Sequence, residues 1–187
     1  MKKIKKQITN NLIMVRPEHF DFNYETAENN HFQKKEKKLS KEKILRNAKN
    51  EFDNLYNKLI KNKINVNVFN DRKKVRTTDS VFPNNWISLH QDGSVYVYPM
   101  FSENRRKERR FDIIEKLKKQ FEIKRVIDLS YFEKESVFLE GTGSMILDRQ
   151  NKICYAALSD RTNLIALNDF CNRALYNPVT FKSYQKV

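Results

Sequence analysis

The chain has 187 residues, 39% hydrophobic and 32% charged, a balance typical of one folded domain with a very polar surface. Its two cysteines, Cys154 and Cys171, are too few for a disulfide framework and belong to no CxxC or Cys/His cluster of the kind that binds zinc. No apolar run approaches the roughly 20 residues that span a bilayer, and the basic N-terminal stretch lacks the apolar core of a secretory signal. We therefore expect a cytoplasmic protein with no membrane partner.

The formal net charge is +14, and most of the excess lies in the first third of the chain. Residues 1–76 carry 20 basic and 9 acidic groups, whereas residues 77–187 carry 17 and 14. A basic chain is a candidate for nucleic-acid binding. However, joint enrichment in lysine and asparagine (21 Asn) is what an AT-rich coding sequence produces, and residues 34–43 alternate in sign as a solvated helix face does. Charge alone therefore does not favour a nucleic-acid partner.

The first third predicts a basic N-terminal arm over residues 1–11, followed by one folded domain over residues 12–187. A short apolar strand at residues 12–15 is stopped by a proline, and a polar, aromatic segment up to Ser40 predicts a long loop. Ser40 can cap a helix that runs to about residue 62 with an apolar stripe on one face. Alternating apolar residues at 64–68 then predict a strand with one buried face.

Two further groups of elements follow. The first has strands at 86–89 and 95–98 around the hairpin turn Asp92-Gly93. The first group continues with a helix at 111–121 and a strand from 126. The second group has a strand at 137–139, the turn Gly141-Thr142-Gly143, strands at 145–147 and 153–157, a helix near 163–175 and a closing strand at 179–184. Strand–helix–strand units thus recur about every 55–60 residues, which favours an array or propeller-like α/β fold. One doubly wound sheet is the alternative, which periodicity does not exclude.

Glu140 is a candidate functional residue because it ends an apolar strand and faces a glycine turn. A carboxylate in such surroundings is costly unless a cation or several donors meet it. A planar guanidinium would pair with it through two parallel hydrogen bonds. From the residues alone, guanidinium binding and a structural role are equally favoured for Glu140. In the structural role, Glu140 bonds to turn amides or to a core arginine.

Asn84 and Asn85 place two amides beside Trp86, at the start of a strand. Polar recognition at a strand end is one interpretation of this pair, and a turn held by side-chain bonds is the other. Arg161 lies just before a predicted helix start, where a cation opposes the helix dipole unless it binds an anion. Surface tolerance is the stronger interpretation for Arg161 when it is taken alone.

Several motifs occur together in a specific order. They are Met14-Val-Arg-Pro17, Phe22-Asn-Tyr-Glu-Thr-Ala27 with Asn29-Asn30, Val81-Phe-Pro-Asn-Asn-Trp86, Tyr98-Pro-Met100, Asn104-Arg-Arg106, Phe138-Leu-Glu-Gly-Thr-Gly-Ser-Met145 and Leu158-Ser-Asp-Arg-Thr162. With these motifs the chain resembles the arginine deiminase/amidinotransferase (pentein) superfamily, and within it the citrulline utilisation hydrolase branch. The resemblance covers residues from about 12 to about 163.

The resemblance implies a five-bladed α/β propeller and chemistry without a cofactor, in which a cysteine thiolate attacks the carbon of a guanidino or ureido group. It gives Glu140 the role of the catalytic carboxylate that binds this planar group and orients a histidine. Asn85 falls where deiminases carry a substrate-binding aspartate, and an amide there suits a neutral ureido group. Arg161, with Arg106 in support, matches the arginine that holds the substrate α-carboxylate.

The chain also differs from the family that it resembles. Its catalytic histidine and nucleophilic cysteine come later in the chain, and neither Cys154 nor Cys171 occupies the nucleophile's place. We therefore expect the N-terminal three-fifths of such an enzyme, about three of five units, truncated or split and inactive without a chain that carries the missing units. The intact form would hydrolyse or transfer groups on citrulline- or arginine-like substrates. A non-catalytic ligand-binding protein and a basic nucleic-acid-binding protein are the alternatives.

Overall fold

A computed structural model describes residues 8–27, 33–35 and 38–184, which form an α/β fold divided into two compact units. The first unit comprises residues 9–83 and 102–110, and the second comprises residues 84–101 and 111–184. Residues 1–7 of the predicted basic arm, and the Asn29-Asn30 pair, lie outside the described residues. The single domain over residues 12–187 stays a prediction.

The first unit is built on a two-stranded parallel sheet and one long helix. Its elements are β1 (Asn11–Arg16), α1 (Tyr24–Ala27), α2 (Lys41–Lys61), β2 (Asn65–Asn70) and α3 (Glu103–Arg106). The Ser40 hydroxyl accepts a hydrogen bond from the Lys43 amide at 3.3 Å, so the predicted N-cap and its helix are confirmed. The predicted loop before Ser40 contains α1, and there the prediction is wrong.

Buried polar side chains hold the first unit together. The Arg105 guanidinium donates from Nε and Nη2 to the carboxylate of Glu108, at 2.9 Å for the shortest contact. Both side chains are buried, and burial raises the pKa of Glu108 to about 7 although the positive charge of Arg105 lowers it. Asn104 donates to Asn23 at 2.6 Å, which joins two motifs that lie 81 residues apart.

The second unit contains two three-stranded sheets of identical topology. Its elements are β3 (Ile87–Leu89), β4 (Ser94–Val97), α4 (Phe111–Lys118), β5 (Arg125–Asp128), α5 (Gly141–Ser144), β6 (Met145–Asp148), β7 (Ile153–Ala157), α6 (Leu164–Ala174) and β8 (Asn177–Phe181). We name the sheet β3-β4-β5 the Tyr96 sheet and the sheet β6-β7-β8 the Tyr155 sheet. In each, the first two strands are antiparallel and the last two are parallel, joined through a helix.

These pairings confirm the α/β class and the predicted hairpin, in which Gly93 adopts a φ of +84°. The described strands form three separate sheets and not one doubly wound sheet. The propeller arrangement stays a prediction. No helix in the described ranges is long and apolar enough to cross a membrane.

Helix α6 forms the centre of the second unit's core. Its buried side chains, Ala166, Leu167, Phe170 and Cys171, belong to one cluster with residues of both sheets. The Phe170 ring lies 4.9 Å from Tyr96 and 5.6 Å from Tyr98, measured between ring centroids. On the Tyr155 sheet the cluster includes Met145, Leu147, Cys154 and Ala156. Burial of each large side chain contributes about 1.5–3 kcal/mol, so α6 stabilises the two sheets together.

Two predictions around Glu140 are wrong in detail. The strand expected at residues 137–139 is absent, and only an isolated bridge joins Leu139 to Thr162. The turn expected at residues 141–143 is instead the start of the four-residue helix α5. Val137 and Leu139 are nonetheless buried in the α6 cluster, so their apolar character reflects core packing and not membership of a ladder.

Candidate functional site

A buried carboxylate, Glu140, lies immediately before α5 and contacts three different groups. Its Oε1 accepts a hydrogen bond from the Phe101 amide at 3.1 Å. Its Oε2 accepts one from the Asn85 side-chain amide at 3.4 Å and lies 3.5 Å from Nη1 of Arg161. A backbone donor, an amide and a guanidinium therefore meet at one carboxylate, as the burial of a charge requires.

The two glycines of α5 let Asn84 and Asn85 approach this carboxylate. Gly141 has a φ of +43°, and a Cβ on it would lie 2.3 Å from the Asn84 carbonyl oxygen. A Cβ on Gly143 would lie 2.1 Å from Nδ2 of Asn85. Both distances are far below van der Waals contact, so a larger residue at position 141 would displace the backbone of Asn84, and one at position 143 would displace the side chain of Asn85. Glycine is therefore needed at positions 141 and 143 for steric reasons.

Hydrogen bonds to the main chain fix Arg161 beside Glu140. The Ser144 hydroxyl donates to the Arg161 carbonyl at 2.7 Å and accepts from the Glu140 amide at 3.0 Å. The Glu140 amide also lies 3.3 Å from the Arg161 carbonyl. Ser144 therefore joins the chain segments that carry the site's carboxylate and its guanidinium.

The structure brings together three of the four predicted site residues, Glu140, Asn85 and Arg161. The Glu140 contacts include a backbone amide and an arginine, the kinds of partner that the structural interpretation of Glu140 names. Arg106 belongs to the first unit, where its Nη1 lies 3.9 Å from Oε1 of Glu103, one helical turn away. The roles of all four residues stay predictions.

Sequence reasoning missed two contacts next to the site. Phe101 contacts Glu140 through its backbone amide. Nearly every residue type has this group, so the sequence gives no signal for the contact. The preceding amide, of Met100, donates to Oε1 of Glu133 at 2.7 Å. Two glutamates thus accept hydrogen bonds from consecutive amides of one segment.

Both cysteines lie in the hydrophobic core. Cys154 and Cys171 are buried in the α6 cluster, and the Cys154 thiol lies 3.5 Å from Sδ of Met145. A hydrogen bond with Cys171, together with burial, raises the pKa of the Cys154 thiol. Because the thiolate is the reactive form, the surroundings of Cys154 are those of a structural cysteine and not of a nucleophile.

His90 follows β3 and is held in its neutral form. Burial, and then the charge of Arg149, lower the pKa of His90 to about 3. Nε2 of His90 lies 2.8 Å from the Ser88 hydroxyl, which lies 2.6 Å from the Tyr98 hydroxyl. In the described part of the chain, no group of three or more His, Cys, Asp or Glu residues is placed to hold a metal ion.

Several solved structures share the fold of this chain at low sequence identity. The N-terminal domain of a mutant ArgZ bound to substrate, an arginine dihydrolase of cyanobacteria, has a TM-score of 0.66 at 20% identity, over 92% of this chain and 58% of that one. A mutant AgrE in complex with L-arginine has 0.69 at 19% identity, over 92% of this chain and 24% of that one. A mutant dimethylarginine dimethylaminohydrolase carrying an S-methyl-L-thiocitrulline adduct has 0.64 at 15% identity, over 93% and 61%.

The chain thus spans 58% of the length of the ArgZ N-terminal domain. A comparison with curated proteins gave no match. The family model of eukaryotic N,N dimethylarginine dimethylhydrolase matches residues 16–187, which is nearly the whole chain. The chain belongs to this N,N dimethylarginine dimethylhydrolase family, within the pentein superfamily of arginine-modifying proteins.

Proposed function

We propose that this chain forms the substrate-holding part of a hydrolase or transferase that acts on C–N bonds of guanidino or ureido groups. The observation that carries the proposal is the convergence of Asn85 and Arg161 on one oxygen of the buried Glu140 carboxylate. Family membership supports it, because the family is defined by action on a dimethylated guanidino group. ArgZ and AgrE, which share the fold, were obtained with substrate and with L-arginine.

In this proposal Glu140 accepts hydrogen bonds from the planar group of the substrate. A carboxylate matches the two parallel N–H groups of a guanidinium or a urea, and here the guanidinium of Arg161 already lies 3.5 Å from Oε2. Asn85 can both donate and accept, so it can bind a neutral ureido group as well as a cation. This favours citrulline as a substrate beside arginine and its methylated derivatives.

Arg161 is proposed to hold the α-carboxylate of the same substrate, and Arg106 to support it. The Arg161 side chain is one-fifth exposed, so it can reach a ligand while its main chain is fixed by Ser144. When a ligand binds, we expect the guanidinium to exchange its contact with Glu140 for the ligand's carboxylate.

We further propose that these 187 residues bind the substrate without turning it over and act together with residues that they do not include. The burial of Cys154 and Cys171 in the α6 cluster supports this, because a thiol packed in a hydrophobic core is not presented to a substrate. The neutral, partly buried His90 supports it as well. In the intact family the resemblance implies a cysteine thiolate, a histidine and no cofactor.

The two sheets of the second unit, with β1-α2-β2, are proposed as three of the five units of a propeller. The identical topology of the Tyr96 and Tyr155 sheets supports this arrangement. The shared fold of ArgZ, of which the chain spans 58%, supports it too.

Calorimetric titration of the chain with L-arginine, L-citrulline and dimethyl-L-arginine tests the proposal. We expect millimolar or tighter binding, a loss of at least about tenfold (about 1.4 kcal/mol) in Glu140→Gln, and no release of ammonia or amine. Glu133→Gln is the matched control, since Glu133 also holds a backbone amide of the same segment. Equal loss in both variants, or binding unaffected by either, would refute the role of Glu140.

A further inference from the structure

The two sheets of the second unit differ in how one face is covered, namely the face opposite the helix that connects each sheet's own two parallel strands. In the Tyr96 sheet, Ser88, Tyr96 and Ile127 lie side by side on neighbouring strands. Ser88 and Tyr96 are 6% and 1% exposed, and Ile127 packs partly buried against the same cluster. Phe170 of α6 lies over this row, 4.9 Å from the Tyr96 ring. The helix that covers the row thus belongs to the following strand–helix–strand group.

The same row in the Tyr155 sheet is exposed. Ile146, Tyr155 and Val179 lie side by side in the same way, with the tyrosine on the central strand. They are 73%, 39% and 44% exposed. Phe181, two residues after Val179 on the edge strand, is half-exposed on the same face. A contiguous apolar row of this kind is uncommon on a solvated sheet face and marks an interaction surface.

The handedness of the connections makes these two rows equivalent. β4-α4-β5 and β7-α6-β8 are both parallel crossovers, which are almost always right-handed, so each helix packs on the corresponding face of its own sheet. For the Tyr155 sheet that face is the one with Cys154 and Ala156, which belong to the α6 cluster. The row with Tyr155 is the opposite face, as the row with Tyr96 is.

We infer that the face formed by Ile146, Tyr155 and Val179 is a docking surface for an amphipathic helix of a further α/β unit. This helix packs on Tyr155 through a large apolar or aromatic side chain, as Phe170 packs on Tyr96. The inference rests on the proposed propeller arrangement of α/β units and not on the chemistry of the Glu140 site. It is supported by the greater length of the relatives, because the chain spans only 58% of the ArgZ N-terminal domain.

A helix fits this face better than a strand or a small ligand does. A strand would pair with the open edge of β8 and would leave the row exposed. A small ligand requires a concave site with a few convergent polar groups, whereas the row is a flat set of apolar side chains. An α-helix laid on a sheet covers such a row, as α6 covers the row of Tyr96.

The first test measures whether the face is apolar, accessible and dispensable for the fold of this chain. In the double variant Ile146→Lys/Tyr155→Lys we expect unchanged circular dichroism, a melting temperature within about 2 °C of wild type, and a several-fold drop in anilinonaphthalene sulfonate fluorescence. The control is Tyr131→Lys/Ile165→Lys, at two residues of the same types that are 45% and 60% exposed elsewhere in this unit. Unfolding of the first variant, or equal dye binding by both variants, would overturn the inference.

The second test uses a helix as the probe. The probe is a fluorescein-labelled peptide of residues 163–175, under reducing conditions, because this segment covers the equivalent row. We expect saturable binding to the full chain with a Kd below about 1 mM, and at least about tenfold weaker binding to Ile146→Lys/Tyr155→Lys. The control double variant should bind as the wild type does. Absence of saturable binding, or self-association of the chain through this face in its place, would contradict a helix as the occupant.

Discussion

The Tyr96 sheet and the Tyr155 sheet have the same strand order and the same crossover, yet their central tyrosines have opposite environments. Tyr96 lies under Phe170 in the core, whereas Tyr155 is exposed to solvent. The strands are not the cause of the difference, because both rows pair in the same manner. What differs is the presence of a helix on the second face. A sheet of this kind therefore depends on the next helix in the chain for half of its burial.

The largest effect that tests this comparison is expected at Phe170. Phe170→Ala removes a ring that contacts Tyr96 and Tyr98, and should lower the free energy of unfolding by about 3–5 kcal/mol. Phe181→Ala, on the exposed row, should cost less than about 0.5 kcal/mol. Urea denaturation followed by circular dichroism measures both. Similar losses at the two positions would show that the second face of the Tyr155 sheet is buried after all.

The next effect concerns α5, which lies between the two sheets in sequence. Gly141→Ala should destabilise the protein by about 2–3 kcal/mol, because the residue has a positive φ and its Cβ would meet the backbone of Asn84. Gly143→Ala should also destabilise, but its clash is with the side chain of Asn85. The second variant Asn85→Ala should therefore restore much of the loss at Gly143 and none at Gly141. Equal rescue, in a double-mutant cycle of unfolding free energies, would contradict the geometry.

The free energy of unfolding should depend on pH through His90, which follows β3 of the Tyr96 sheet. His90, held neutral by burial, has a pKa of about 3 in the fold against an ordinary 6.5. A lowered histidine pKa contributes stability that is complete above pH 6.5 and is lost as the pH falls towards 3, at about 1.4 kcal/mol per unit. At pH 5 the loss is about 2 kcal/mol. We expect His90→Gln to remove this loss, so that the difference in unfolding free energy between the variant and the wild type changes by about 2 kcal/mol between pH 7 and pH 5, over an interval in which Glu108 contributes a slope of opposite sign. An unchanged slope in that interval would show that His90 is solvated.

The smallest effect concerns the hydroxyl groups of the two tyrosines. Oη of Tyr96 is buried, with no hydrogen-bond partner among the described residues. Tyr96→Phe should therefore raise the free energy of unfolding by about 1 kcal/mol, since it removes an unsatisfied polar atom. Tyr155→Phe, at an exposed position, should leave it unchanged within about 0.5 kcal/mol. A destabilised Tyr96→Phe would indicate that the hydroxyl has a partner.

The elements with local signals were predictable from the sequence. Asp92-Gly93 between two apolar runs predicted the hairpin, and Ser40 before an apolar stripe predicted α2; both have local causes, a positive φ and a cap. The region before Glu140 was not predictable in the same way. Val137 and Leu139 are apolar because they enter the α6 cluster, and a core position outside any ladder has the same composition as a strand.

The candidate site was predictable in its side chains but not in its backbone partners. Glu140, Asn85 and Arg161 were identified through the resemblance, and their side chains do converge. The amide of Phe101 was not foreseen, because every residue but proline carries the same donor. Likewise, the steric reason for Gly141 and Gly143 depends on the Asn84-Asn85 segment, more than 50 residues earlier, which only the folded chain places there.

A crystal structure of the chain with L-arginine or L-citrulline would test the proposed binding site most directly. We expect the planar group of the ligand within hydrogen-bond distance of the Glu140 carboxylate and the Asn85 amide. We also expect the Arg161 guanidinium to move from Glu140 to the ligand's α-carboxylate. A ligand bound elsewhere, or an Arg161–Glu140 contact that stays unchanged beside a bound ligand, would contradict the proposed site.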